Sequence, residues 1–155
     1  MSEHKAVVEW RHQGGTFTDN RFSRRHEWHF DGGAVVPASA SPHVLGPPMS
    51  DAAAVDPEEA FVAAAASCHM LWFLWFAARA GLGVRSYRDA ASGYLERNEQ
   101  DRLAITRIVL RPVVEFSDPA GKDAATLAEL HEKAHEHCFI ANSITSVVTI
   151  EPQGS

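Results

Sequence analysis

The sequence predicts an α+β fold in which antiparallel sheets wrap a long central helix. Three observations carry this. Short segments with strand-like alternation come first, at 6–10 and 23–30. An apolar stretch of about 24 residues (57–80) then carries helix-start and helix-stop signals at its two ends. Further strand-like runs, a single helical stripe and a last strand at 144–150 follow. Strands grouped apart from helices, rather than alternating with them, point to α+β instead of a parallel α/β sheet. At 155 residues the chain fits one domain, 1–155, large enough to bury a core.

The elements follow in order. Gln13-Gly14-Gly15 and Asp31-Gly32-Gly33 read as turns closing the first strands. Residues 37–57 form a loop with five prolines and many small residues, a length that in a compact domain is often functional. Asp56 is a good N-cap, Pro57 suits the first helical position, and Glu58 and Glu59 favour the positive end of the helix dipole. Gly81 and Gly83 end the helix. Beyond it, 84–96 reads as strand and Asn98 to Asp101 as a polar turn. A long alternating run over 103–116 places Ile108, Leu110, Val114 and Phe116 on one face. Asp118-Pro119 is read as the cap of a second helix reaching about His137. Its stripe, Leu127, Leu130, His131, Ala134 and Cys138, follows the spacing of one helical face.

The central helix is apolar all round: Phe61, Met70, Leu71, Trp72, Phe73, Leu74, Trp75 and Phe76 point in every direction. Such a helix must be covered on all sides. One small sheet and one further helix fall short of that, which implies an intimate homodimer. The uncharged run 60–78 approaches the length of a membrane span. Its small residues, His69 and the flanking Asp56, Glu58, Glu59 and Arg79 favour a buried central helix and no membrane.

A net charge of −6 argues against a nucleic-acid partner, the basic residues being scattered apart from Arg21, Arg24 and Arg25. The N-terminus has no apolar signal core, so a reducing cytoplasm is the expected location. There, two cysteines more often do chemistry than hold structure. Cys68 and Cys138 are the only two. Each stands in or beside a core helix near histidines, and a thiolate needs a nearby cation, which His69 or an arginine could supply. Two small buried hydrophobes is the plainer reading of the same residues.

His131-Glu132-Lys133-Ala134-His135 spells H-E-x-x-H on a helix, the zinc-hydrolase pattern. A third protein ligand is not evident and the extended form of the motif is absent, so a zinc hydrolase ranks below the thiol reading. Some metal binding through His131, His135 or His137 stays open. His26 and His29, beside Trp28, read as ordinary strand residues. Trp72, Phe73, Trp75 and Phe76 read as core before they read as the wall of a pocket.

Asp56-Pro57-Glu58-Glu59-Ala60-Phe61, followed by an alanine-rich stretch to Ser67-Cys68-His69-Met70, resembles the helix signature of the OsmC/Ohr family. So does the second cysteine after a His/Glu-rich helix, here His135-Glu136-His137-Cys138-Phe139-Ile140-Ala141-Asn142-Ser143. The order of elements matches over nearly the whole chain. His69, and Phe139 where many members have proline, mark a divergent branch. The resemblance implies a swapped-strand homodimer and a thiol peroxidase acting on organic hydroperoxides or hydrogen peroxide, with an external dithiol as reductant and no cofactor. It implies Cys68 as the peroxidatic thiol, Cys138 as the resolving one, and Glu58 as the carboxylate that orients an arginine. With no arginine between His26 and Arg79, that arginine is Arg21, Arg24 or Arg25, of which Arg24 is preferred. A non-enzymatic ligand or metal binder on the same scaffold is the alternative. Glu58 and Cys68 are ten residues apart, about 15 Å along a straight helix. Either Glu58 serves the partner subunit's site or the helix breaks; the first is expected.

Overall fold

Three short strands open the chain: β1 (Ala6–Glu9), β2 (His26–Phe30) and β3 (Val35–Ala38), antiparallel and ordered β1-β2-β3. The computed structural model describes residues 1–117 and 123–153. It divides into two units, Met1–Ala60 and Phe61–Ser155. In the first unit Trp28 stands opposite both Val8 and Val36. The β2–β3 turn needs Gly33, whose φ of 86° is left-handed and whose N–H bonds back to Phe30.

Pro37, expected to begin a loop, lies inside β3 opposite Glu27. A proline is tolerated there because the strand has a neighbouring strand on one side only. The residues after it are tied down rather than structureless. Val55 bridges Ala38 in parallel, Asp51 N–H donates to Ser39 Oγ, and Arg24 N–H donates to the Met49 carbonyl. Small side chains (Ala38, Ser39, Ser41, Ala54) are buried along this path. By contrast every residue of β1 is exposed.

Helix α1 (Pro57–Arg79) begins on a reciprocal cap: Glu59 N–H donates to Asp56 Oδ1 at 2.8 Å, and Asp56 N–H donates to Glu59 Oε2 at 3.2 Å. It ends where Gly81 (φ 74°) donates to Ala78 and Leu82 donates to Ala77, the paired bonds of a left-handed stop. The helix is unbroken between these ends.

The second unit continues with β4 (Val84–Asp89), β5 (Ser92–Arg97), β6 (Leu103–Leu110), β7 (Pro112–Phe116), α2 (Ala124–His137) and β8 (Val147–Ile150). β4 pairs with β7 and β5 with β6, both antiparallel, while β8 joins the far side of β6 in parallel. The predicted turn closes the β5–β6 hairpin: Asn98 Oδ1 accepts from the N–H groups of Gln100 and Arg102. The run 103–116 is two strands in two sheets. Arg111 interrupts it, its N–H turned to Asp89 Oδ1 at 2.7 Å, and Pro112 opens the next strand, a position where no N–H is needed. The cap expected at Asp118-Pro119 lies outside the described residues. α2 starts later, capped by Asp123, whose carboxylate accepts from Thr126 N–H.

That interruption divides the core. Ile108 and Leu110 pack with Ala65 of α1, ringed by Phe61, Val62, Ile105, Ile140 and Val148. Val114 and Phe116 pack instead with Phe73 and Ala77 of α1 and with Leu130 and Ala134 of α2. The four residues read as one face thus serve two clusters, both resting on α1.

Gly93 marks a close approach of α1 to β5, since a Cβ there would run into a Val62 methyl group. Gly93→Ala is expected to destabilise the protein by about 1–3 kcal/mol through overpacking. Urea unfolding of the variant against the parent protein checks this.

Candidate functional site: a cysteine pair beside a histidine pair

A single line of α1 side chains is buried, Ala65, His69, Phe73 and Ala77, one per turn. Opposite it, α2 buries Leu130, His131 and Ala134 and ends on the buried Cys138. The two lines meet at the seam between the two core clusters, and both predicted thiols lie there.

Both cysteines are free, Cys68 half-buried and Cys138 buried. Cys68 lies near enough to the Cys138 thiol to act on its protonation. Burial, reinforced by Cys68, pushes the Cys138 pKa up to about 11, against the opposing effect of the Ala141 N–H, which points at its sulfur from 3.4 Å. Cys138 is therefore a protonated thiol near neutral pH. Its backbone ends α2, with Cys138 N–H bonded to the His135 carbonyl and the following 3-10 turn, Ala141–Ser143, holding Asn142 N–H on the Cys138 carbonyl.

His69 does not act as the cation considered for the thiol. Nε2 of His69 and Nδ1 of His131 are 3.0 Å apart. The rings are parallel to within 7° with centroids 5.3 Å apart, which at so short an N···N distance means edge to edge in one plane, not face over face. Such a bond requires one nitrogen to donate and the other to accept. Burial first, then the neighbouring His131 and His135, lower the His69 pKa to about 4; burial lowers that of His131 to about 4. Both are neutral at pH 7. Their outer nitrogens, His69 Nδ1 and His131 Nε2, lack partners, as does Nδ1 of His135.

This reassigns the H-E-x-x-H helix. His131 turns inward onto His69 and the Phe73 ring at 4.5 Å, Glu132 is exposed, and His137 bonds the Lys133 carbonyl at 2.9 Å. Among the described residues no three His, Cys, Asp or Glu side chains are grouped to hold a metal ion. The histidine pair was legible only in part: both residues sit on the buried stripes, but nothing in the spacing says which residue of α2 meets which of α1.

The remaining candidates belong to the first unit. Arg24 is held by its own loop: its guanidinium donates to Asn20 Oδ1 at 2.6 Å and to the Phe22 carbonyl, and lies 3.6 Å over the Phe22 ring. Arg25 pairs with Asp51 at 2.6 Å. Glu58, in the first turn of α1, is half-buried, and its Oε2 is buried without a partner. Because α1 is unbroken, Glu58 stays about 15 Å along the axis from Cys68 of the same chain. The helix-break alternative is removed. His26 and His29 are strand residues, His26 accepting from the Trp28 indole and His29 lying between Glu9 and Glu27.

On the outer side of the seam, Trp72 packs edge-on against Trp75 and Phe139 and tilted against His137. Trp75 and Phe139 are 47% and 67% exposed and Leu71 62%, so this apolar surface is uncovered by its own chain rather than interior as expected.

Residues 50–153 match the family model described as OsmC-like protein. An OsmC-like protein of unknown function from Vibrio cholerae is 50% identical, with a TM-score of 0.96 over 99% of this chain and 100% of that one. An organic hydroperoxide resistance protein from Elizabethkingia anophelis superposes with a TM-score of 0.70 at 17% identity, covering 100% and 96% of the two chains. One from Bacillus subtilis gives 0.60 at 19% identity over 97% and 98%. Among curated proteins none matches.

Neutral buried histidines fix a pH dependence. Their folded-state pKa values lie below 6.5, so the stability they contribute is fully present above pH 6.5 and is lost as pH falls through about 4. The effect is on the order of 3 kcal/mol per histidine. Urea unfolding at pH 7.5 and 4.5 is expected to show a smaller acid loss for His69→Leu/His131→Leu than for the parent protein.

Proposed function

Because the chain belongs to the OsmC/Ohr family, we propose that it is a cysteine-based peroxidase reducing organic hydroperoxides or hydrogen peroxide. The observation that carries this is the nearness of Cys68 to Cys138, close enough for the first thiol to raise the pKa of the second. A half-buried thiol near a buried one is the arrangement that attack followed by resolution needs.

The Cys68 thiolate attacks the peroxide oxygen and the O–O bond breaks, giving the Cys68 sulfenic acid and an alkoxide that takes up a proton. The Cys138 thiol then attacks the oxidised sulfur; the S–S bond forms and hydroxide leaves as water with the thiol's proton. An external dithiol returns both cysteines to the reduced state by exchange. The unequal burial of the two thiols supports unequal roles, the more accessible Cys68 meeting the peroxide first.

Glu58 is proposed to orient an activating arginine, Arg24 being preferred, at the site of the partner subunit. The buried, unpartnered Oε2 of Glu58 supports this, since a carboxylate oxygen shut away from water calls for a cation or a donor. Two structural relatives named for organic hydroperoxide resistance are consistent with the activity. The working state is proposed to be an intertwined homodimer of one OsmC-like domain per chain, in the cytoplasm. Exposed Leu71 and Trp75 on α1, with the wholly exposed β1, are what a monomer in water would have to hide.

Stoichiometric peroxide is expected to oxidise Cys68 and Cys138 to a disulfide. Cys68→Ser should abolish peroxide consumption, and Cys138→Ser should halt at a dimedone-reactive sulfenic acid. Equal consumption by Cys68→Ser would remove the peroxidase reading and leave a non-enzymatic binder. Light scattering on the eluting protein is expected to give twice the 17.0 kDa chain mass, and a dimer structure should place Glu58 within about one side-chain length of the partner's reactive thiol.

A further inference from the structure

We propose that the His69–His131 hydrogen bond is a positioning clasp that sets the register of α1 on α2 and thereby holds Cys138 against Cys68. The inference rests on the thiol chemistry above and adds to it a pair of residues that never touch the peroxide.

Among the described residues this is the one side-chain hydrogen bond that links α1 to α2. The other contacts between the helices are apolar or ring packing without a hydrogen bond: Phe73 and Ala77 against Leu130 and Ala134, with Leu127 at the edge, and Trp72 and Phe76 against the His137 ring. Apolar contacts are non-directional, so they drive the helices together without selecting one sliding position. A buried polar pair does select, since any shift leaves two nitrogens without partners in a site closed to water. His69 is 1% exposed and His131 4%. No solvent can replace the bond.

The position of the clasp suits that task. His69 follows Cys68 directly, and His131 lies two turns before Cys138 on the same face of α2. A shift of α2 along α1 that broke the clasp would carry Cys138 off Cys68 by the same amount. Disulfide formation tolerates little such displacement, because the sulfurs must come within bonding distance with the right dihedral. The groups able to disturb the pair electrostatically are few. His135 on α2 acts on His69, Tyr87 on β4 meets the Phe73 ring that also packs on His131, and Asp89 stands beside Tyr87. Lys133 is turned away onto Glu129.

The experiment follows Cys68–Cys138 disulfide formation in the reduced full-length protein with diamide, which takes two electrons and two protons from a thiol pair, and separately with cumene hydroperoxide. His69→Leu/His131→Leu removes both partners, a change that leaves no orphaned nitrogen and preserves the fold. His131→Asn places an amide where the ring Nδ1 stood and keeps a bond to His69. Expected with diamide are a rate at least about tenfold lower in the double leucine variant and near the parent rate for His131→Asn. With cumene hydroperoxide the sulfenic acid should form at the parent rate in both variants, only the disulfide lagging in the first. Parent-like disulfide rates in the double leucine variant overturn the clasp, as does a His131→Asn variant that is folded yet equally slow. A parent protein that forms the disulfide with diamide but ignores the hydroperoxide overturns the peroxidase reading alone.

Discussion

Helix α1 is apolar on every face, yet the chain that carries it buries only the line Ala65, His69, Phe73 and Ala77. The two core clusters rest on successive turns of that line, one around Ala65 and one around Phe73 and Ala77. Arg111, where one run of sequence becomes two strands, is where the chain passes from one cluster to the other. The same constraint leaves Leu71 and Trp75 uncovered. A long helix of this kind presents more apolar surface than its own chain covers.

Between the two clusters sits a polar seam, and it is there that the chemistry collects. Thiols and imidazoles are groups whose properties change most when water is removed. Burial drives the Cys138 pKa up and those of His69 and His131 down, so at neutral pH the seam holds neutral groups. A neutral His pair can donate and accept, and so can hold two helices together by direction as well as by attraction. A cation at the same place would have lowered the pKa of a nearby thiol instead.

Much of the local structure was legible in the residues themselves. The caps of α1, Asp56 with Glu59 at one end and Gly81 at the other, are short-range chemistry, and they stand where the pattern put them. The α2 stripe ending on Cys138 was visible as spacing. What misled was equally local. Alternation over 103–116 cannot reveal that a backbone N–H will turn to Asp89, twenty-two residues away, and split the run between two sheets. Pro37 looked like a loop residue because sequence does not say which strand has an unpaired side.

By itself the sequence determined most of the elements, the caps of α1, the family signature and the two thiols, all set by contacts within a few residues or by composition. Only the tertiary structure decided that Cys138 lies near Cys68, that His131 bonds His69, and that α1 runs unbroken past Glu58. The reason is that pairing across helices depends on their relative register. Register is set by the sum of many weak apolar contacts and a few directional ones far apart in the chain, and no local pattern carries that information.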